Sequence, residues 1–385
     1  MSATRRATSP HAPPGLDPPP GNRRFDAFDA LRALAALTIV AHHLAGPAGV
    51  GGAAGAVLAR FSAGVAVFFA ISGFLLYRPY VVARHGWAPQ VPVGVFWLRR
   101  LLRIVPGYWL ALTVIGLALG WAGAGHPWGL FYVFGQLYVP SQAFNAIPAA
   151  WSLCVEMSFY LCLPAYAWLV ARTLRGSARA ELALLGLLAL ASVAFHQITA
   201  GRGEKAVSLM LPASFFLFAV GMGLALLSVT AAQTAGARLV ARHGGACWLL
   251  ALALLVAMAL GTSVGGSSAH PLYAPIALLI VLPAVFEGEG RFARVLRMRT
   301  LAWLGLISYG IYLWHQALIG WLVGRGLGGA PLVLATLALT VAVAAASYYA
   351  VERPALRRKP RGRRRPTRDR PTSTAAAPRS SAAAG

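Results

Sequence analysis

Apolar residues run along this chain in blocks of about 17 to 25, the length a helix needs to cross a bilayer, with short polar or basic segments between them. Ten such blocks are legible, near residues 31–48, 62–81, 104–121, 149–171, 182–199, 207–229, 246–264, 271–287, 301–324 and 331–351. The pattern predicts an all-α polytopic membrane protein, a bundle of about ten transmembrane helices. A further apolar stretch, WGLFYVFGQLYV within residues 121–148, reads as an outer-leaflet or re-entrant element. An eleventh full span there would reverse the side of every later loop. No internal repeat is legible.

Composition strengthens this reading. Of the 385 residues, 58% are hydrophobic and only 11% charged, which excludes an ordinary soluble domain. A net charge of +24, from 34 Lys and Arg against 10 Asp and Glu, raises nucleic acid as a partner. The distribution argues against it. With the N-terminus inside, every Lys and Arg except Arg60, Arg202, Lys205 and Arg325 falls on one side of the ten spans. That is the asymmetry of the positive-inside rule, so the expected partner is the lipid bilayer and the expected place the cell membrane, with both termini cytoplasmic.

The flanks differ in kind. Residues 1–24 carry six prolines and no apolar h-region, so they read as a disordered cytoplasmic lead and not a signal peptide. Residues 354–385, rich in Arg, Pro, Ser and Ala, read as a disordered basic cytoplasmic tail. Between them, 25–353 form the membrane domain. Cys154, Cys162 and Cys247 all sit in apolar runs, and no disulfide framework can be read from them.

Some groups do not belong in lipid. Arg32 and His43 are eleven residues apart, which on a helix is three turns plus roughly 20°, with a rise of about 16 Å. They share a stripe, whereas His42 points about 80° away. On the fourth span Ser152, Glu156 and Tyr160 share an i, i+4 stripe, and on the ninth Ser308, Tyr312 and His315 share a face. Counting residues from the span ends places His43, Glu156 and His315 at comparable depth. A snorkelling arginine or a hydrogen-bonded core histidine is the ordinary reading of any one of these. Three ionisable groups from separate spans at one level favour a shared polar site. At the start of the third span, Arg99, Arg100 and Arg103 serve as topological flanks. Arg100 and Arg103, at i, i+3, also face the same way, as a clamp for phosphate oxygens would.

The order FDAFDALRALAALTIVAHH, FFAISGFLLYRPY, FWLRRLLRIVPGYWLAL, PAAWSLCVEMSFYLCLP, SYGIYLWH and YYAVERP resembles the acyltransferase 3 family of membrane acyl-group transferases, from about Phe25 to Pro354. The resemblance implies a helical bundle of about ten spans that transfers an acyl group, commonly acetyl, from cytosolic acyl-CoA to a hydroxyl of a sugar or glycoside. It carries over residue by residue. Arg32 and His43 fall on the family's Arg-x10-His motif and Arg100 and Arg103 on its Arg-x-x-Arg motif. Glu156 is the Glu after Trp-Ser-Leu, and Glu352 the acid of the terminal Glu-Arg-Pro. Ala30 stands where a Gly is usual, and Met157 where a second acid is often found. Some members carry an added soluble SGNH-type domain that this sequence is expected to lack. A small glycosylated metabolite is as good an expected acceptor as an envelope polysaccharide.

The expected chemistry follows. Acyl-CoA is a co-substrate, and neither a tightly bound cofactor nor a metal is expected. Its phosphates sit against Arg100, Arg103 and Arg32, and His43 acts as general base on the acceptor hydroxyl, as suits histidine's ordinary titration near neutrality. Glu156 is expected to orient the imidazole, with Ser152, Tyr312 and His315 as candidate oxyanion donors. Transfer through an acyl-histidine is an open variant. The rival class is a transporter or exporter of an anionic or glycosylated solute, since buried His and Glu also serve proton relays. A structural scaffold needs no ionisable groups at depth.

Overall fold

The computed structural model describes residues 26–118, 127–174, 176–261, 270–286 and 290–358. The lead 1–24, Arg175 and the tail from residue 359 lie outside the described residues, as do the expectations attached to them. Every regular element among the described residues is helical.

The bundle opens with α1 (Asp26–Ala45), followed by the short α2 (Gly52–Ala59), which runs through a 3₁₀ turn into α3 (Gly64–Arg84). Then come α4 (Val93–Ala118), α5 (Trp128–Tyr132), α6 (Trp151–Thr173), α7 (Ala178–Gly201) and α8 (Leu211–Thr230). Next are α9 (Ala235–Arg242), α10 (Gly244–Leu260), α11 (Tyr273–Val285), α12 (Arg291–Leu296), α13 (Arg299–Val323), α14 (Gly329–Ser347) and α15 (Arg353–Arg357).

Eight helical stretches among the described residues are long and apolar enough to cross a membrane. A ninth is obtained if α9 and α10, bent by 72° at their junction, are one span. The tenth expected span, 271–287, is shorter than its apolar run implies. Its helix covers 13 residues, about 20 Å against the roughly 30 Å of a hydrocarbon core. The WGLFYVFGQLYV stretch is not a span. It breaks into α5 and a 3₁₀ turn, with positive φ at Phe134 (61°). It is pinned to α4, where Tyr108 OH donates to the Phe131 carbonyl at 3.1 Å and Trp109 Nε1 to that of Tyr132 at 3.0 Å.

Close helix approach needs small residues, because lipid supplies little hydrophobic drive between helices. A Cβ on Gly221 of α8 would collide with the Ala70 carbonyl of α3. One on Gly305 of α13 would strike the backbone of Asp29 in α1. These two contacts set α3 against α8 and α13 against α1. A buried ion pair adds to them: Arg84 Nη2 lies 2.9 Å from Glu181, which also accepts a hydrogen bond from the Tyr77 hydroxyl, and α3 is thereby tied to α7. The outer faces of α7 and α14 stay apolar and uncovered, with Leu190 71% and Leu334 69% exposed. Lipid tails cover such faces.

α4 begins well before the apolar run at 104, so Arg99, Arg100 and Arg103 ride on its first three turns instead of a loop. At the other end of the chain the helical path tightens at Tyr348–Glu352 into a π-helical turn, and α15 carries it to Arg357, past the boundary at 353 drawn from sequence.

Candidate functional site

α1, α3, α4, α6 and α13 surround a cavity of about 300 Å³. Its walls carry Arg32, Ser72, Arg100, Arg103, Ser152, Glu156, Tyr160, Ser308, Tyr309 and Tyr312, a dense polar set for the interior of an apolar bundle. Eight residues singled out from sequence thus converge here: Arg32, Arg100, Arg103, Ser152, Glu156, Tyr160, Ser308 and Tyr312.

The arginines form one end. Arg32 Nη1 sits 3.5 Å from Asp29 one turn back, and Arg103 Nη1 sits 3.6 Å from Glu352 Oε2. Glu352 is 1% exposed and neither of its oxygens has a hydrogen-bond partner in the described residues, so Arg103 is its counter-charge. The π-helical turn that ends at Glu352 aims this carboxylate; such turns recur at functional positions. Arg103 also stands 5.9 Å above the Tyr309 ring, whose hydroxyl donates to the Ile104 carbonyl at 2.8 Å. Arg100 is different: its Nε is buried and has no hydrogen-bond partner among the described residues.

Glu156 lies beside the arginines. Its oxygens accept from Ser72 Oγ at 2.7 Å and from Tyr160 OH at 2.9 Å. Further along the cavity Tyr312 OH donates to the Ala149 carbonyl at 2.8 Å, with Ser152 Oγ 2.8 Å from the same phenol oxygen.

The histidines stand beyond Tyr312. His315, fully buried, has Nδ1 2.8 Å from the Tyr312 carbonyl and Nε2 3.2 Å from Nδ1 of His43. His43 Nδ1 is also 2.9 Å from the Ile39 carbonyl. A carbonyl only accepts, so each Nδ1 facing one carries the proton. His315 therefore offers a lone pair at Nε2, which receives the Nδ1–H of His43. The lone pair of His43 is left on Nε2. The His42 ring meets that of His43 edge-on, centroids 4.8 Å apart, while its Nδ1 lies 3.2 Å from the Leu58 carbonyl.

This geometry corrects two expectations. Glu156 does not touch His43, and the two are not at one depth. Ser152 and Tyr312 meet across the cavity. From there Glu156 lies one turn, about 6 Å, along α6 toward the arginines, and His315 lies about 4.5 Å along α13 the opposite way. The imidazole partner of His43 is His315. The candidate oxyanion donors are also spoken for: the Tyr312 hydroxyl and His315 Nδ1–H give their protons to carbonyls, and Ser152 Oγ is within reach of the Ala149 carbonyl (3.2 Å) and of Tyr312. Ser72 and Tyr309 line the site without having been singled out. The one signal for Ser72 was a lone Ser-Gly inside an apolar run, which is common wherever helices pack closely.

Among known proteins, the chain is 26% identical over 332 residues to Nodulation protein 10 of Rhizobium leguminosarum bv. viciae, covering 77% of this chain and 83% of that one. It is 30% identical over 320 residues to the exopolysaccharide production protein ExoZ of Rhizobium meliloti, covering 77% and 90%. It is 22% identical over 284 residues to the peptidoglycan O-acetyltransferase OatA of Listeria monocytogenes, where the match takes in 66% of this chain but only 44% of the Listeria protein. No solved structure matches the chain. The family described as Acyltransferase domain matches residues 25–351, most of the chain and all of the cavity's walls. A multi-pass helical membrane protein with that match is an acyltransferase, and the chain belongs to the acyltransferase 3 family.

Proposed function

We propose that this protein moves an acyl group, acetyl or another short acyl, from acyl-CoA to a hydroxyl of a carbohydrate or a glycosylated metabolite. His43 is the general base. The observation that carries the reading is the His43–His315 pair, which leaves the Nε2 lone pair of His43 unengaged by either contact while its Nδ1–H is held from two sides.

In the proposed reaction the acceptor hydroxyl gives its proton to His43 Nε2 as its oxygen attacks the thioester carbonyl. The tetrahedral intermediate then expels the CoA thiolate, which takes the proton back from the imidazolium. Charge on that imidazolium is stabilised by the Ile39 carbonyl and the His315 lone pair, so no carboxylate is required beside it. Direct transfer suits this arrangement better than an acyl-histidine, because Nε2 cannot both carry the acyl group and hold the acceptor's proton.

The donor's phosphates take the arginine end. Arg100, with an unsatisfied buried Nε, and Arg103 and Arg32, each paired to a single carboxylate at 3.5 to 3.6 Å, have donor capacity to spare. Glu156 belongs to that end, where with Ser72 and Tyr160 it fixes the polar wall along which the thioester arm passes. The relatives named for peptidoglycan O-acetylation and exopolysaccharide production support a carbohydrate acceptor. The excess of basic residues on one side of the spans supports a cell-membrane protein with both termini cytoplasmic, which puts the arginine end toward the acyl-CoA pool.

The test is made with the purified protein in lipid nanodiscs, acetyl-CoA and a panel of glycosides, following free thiol and product mass. Thiol release that depends on an acceptor, with one acyl group gained by that acceptor, is the expected result. Thiol release unaffected by every acceptor, or none at all, contradicts the reading.

A further inference from the structure

A second cavity lies beside the first, on the other side of Arg100. It measures about 90 Å³ and shares Leu75, Leu76 and Arg100 with the main cavity, so the two adjoin at these three residues. Arg99 lines it as well, and so does Val91, at the end of the exposed connection between α3 and α4. The compartment thus adjoins a loop on the arginine side of the bundle.

Its remaining walls are flat and aromatic. Tyr80 and Phe96 meet edge to face along one wall, ring centroids 6.0 Å apart at 63°, and Pro79 lines it beside them. Tyr80 is 5% exposed, yet its hydroxyl has no hydrogen-bond partner in the described residues, and the same holds for Arg100 Nε. Buried polar atoms in folded proteins are almost always satisfied, so two orphans bordering one cavity call for a ligand that supplies their partners. Aromatic and proline faces suit a planar ring, an unpaired hydroxyl suits a ring nitrogen or exocyclic amine, and two guanidinium groups suit phosphate.

We propose that this compartment is the nucleotide subsite of the donor. The purine ring of acyl-CoA packs against the wall formed by Pro79, Tyr80 and Phe96, with Tyr80 OH hydrogen-bonded to its edge. The phosphates pass Arg99 and Arg100, and the pantetheine arm runs on through the main cavity toward Tyr312 and His43. The proposal rests on acyl-CoA being the donor.

The experiment compares two thioesters that share the reactive end, acetyl-CoA and S-acetyl-4′-phosphopantetheine, which lacks the nucleoside. Both are assayed with the native protein, Tyr80→Phe and Phe96→Leu, at saturating acceptor, with thermal unfolding as the check on integrity. Stacking on an aromatic ring and one hydrogen bond predict a KM for acetyl-CoA raised about 10-fold by Phe96→Leu and about 3-fold by Tyr80→Phe. The KM for the truncated thioester is expected to stay at its native value in both variants. Equal shifts with the two donors, or none with either, overturn the nucleotide subsite while leaving acyl-CoA as donor intact. No transfer from either thioester by the native protein overturns the donor reading, and this inference with it.

Discussion

His315 Nε2 sits 3.2 Å from Nδ1 of His43, and the carbonyls of Tyr312 and Ile39 hold both rings in the same tautomer. A histidine, not a carboxylate, orients the proposed base. If His315 acts only by positioning, His315→Gln, whose amide oxygen still accepts from Nδ1–H, keeps much of the activity. His315→Phe loses roughly 100-fold in kcat, within the range expected for a mispositioned general base. KM for acyl-CoA is unchanged in both. Steady-state kinetics of the two variants decide it, and equal losses in both would remove the positioning role.

Glu156 is expected to behave differently. Its partners are Ser72 and Tyr160 at the arginine end, so Glu156→Gln should raise KM for the donor about 10-fold and leave kcat within about 3-fold, one charge-assisted hydrogen bond being weakened. A collapse of kcat with KM unchanged would return Glu156 to the chemistry at His43.

Arg103 and Glu352 make the sharpest stability prediction. Glu352 is 1% exposed and Arg103, at 3.6 Å, is its counter-charge. Removing one partner of a buried pair costs about 3–5 kcal/mol, whereas replacing both with apolar groups of similar volume costs far less. Arg103→Met should therefore lower the unfolding temperature markedly, and Arg103→Met with Glu352→Leu should recover most of it without recovering donor binding. Thermal unfolding in detergent reads the first effect and KM for the donor the second.

Gly305→Ala tests the frame that carries Arg32. The added Cβ meets the Asp29 backbone one turn from Arg32 and pushes α1 off α13. Overpacking of this kind costs about 1–3 kcal/mol. Lower thermal stability together with weaker donor binding is expected, and an unaltered protein would mean that the contact is slack.

The order of the apolar segments was legible because a bilayer filters composition so strictly that a run of 20 apolar residues has few other readings, while among the described residues eight or nine of the ten are long enough to span. Lengths were less legible. The 271–287 run holds a single charged residue, at its last position, but its regular helix starts only at Tyr273, and hydropathy alone does not mark where helix begins. The residue types of the site were legible for the same reason as the spans: Arg32, Glu156, Tyr312 and His315 are conspicuous in lipid. Periodicity gives the face of a helix and an approximate depth, but not the neighbour. Thus Ser152 and Glu156 were assigned to the right stripe, while the partner of His43 was assigned to Glu156 and proves to be His315. Arg103 and Glu352, about 250 positions apart in sequence, had no local signal of their meeting.

The central claim is acyl transfer with His43 as base. Its most direct test is mass spectrometry of metabolites and envelope glycans from a deletion strain complemented with the native gene or with His43→Ala, both proteins shown by immunoblot to reach the membrane. The account predicts one glycan or glycoside that gains the mass of a single acyl group with the native gene alone. Equal acylation in the His43→Ala strain contradicts the mechanism. Identical products in every strain, with a solute retained inside the deletion strain, contradict the transferase and describe an exporter.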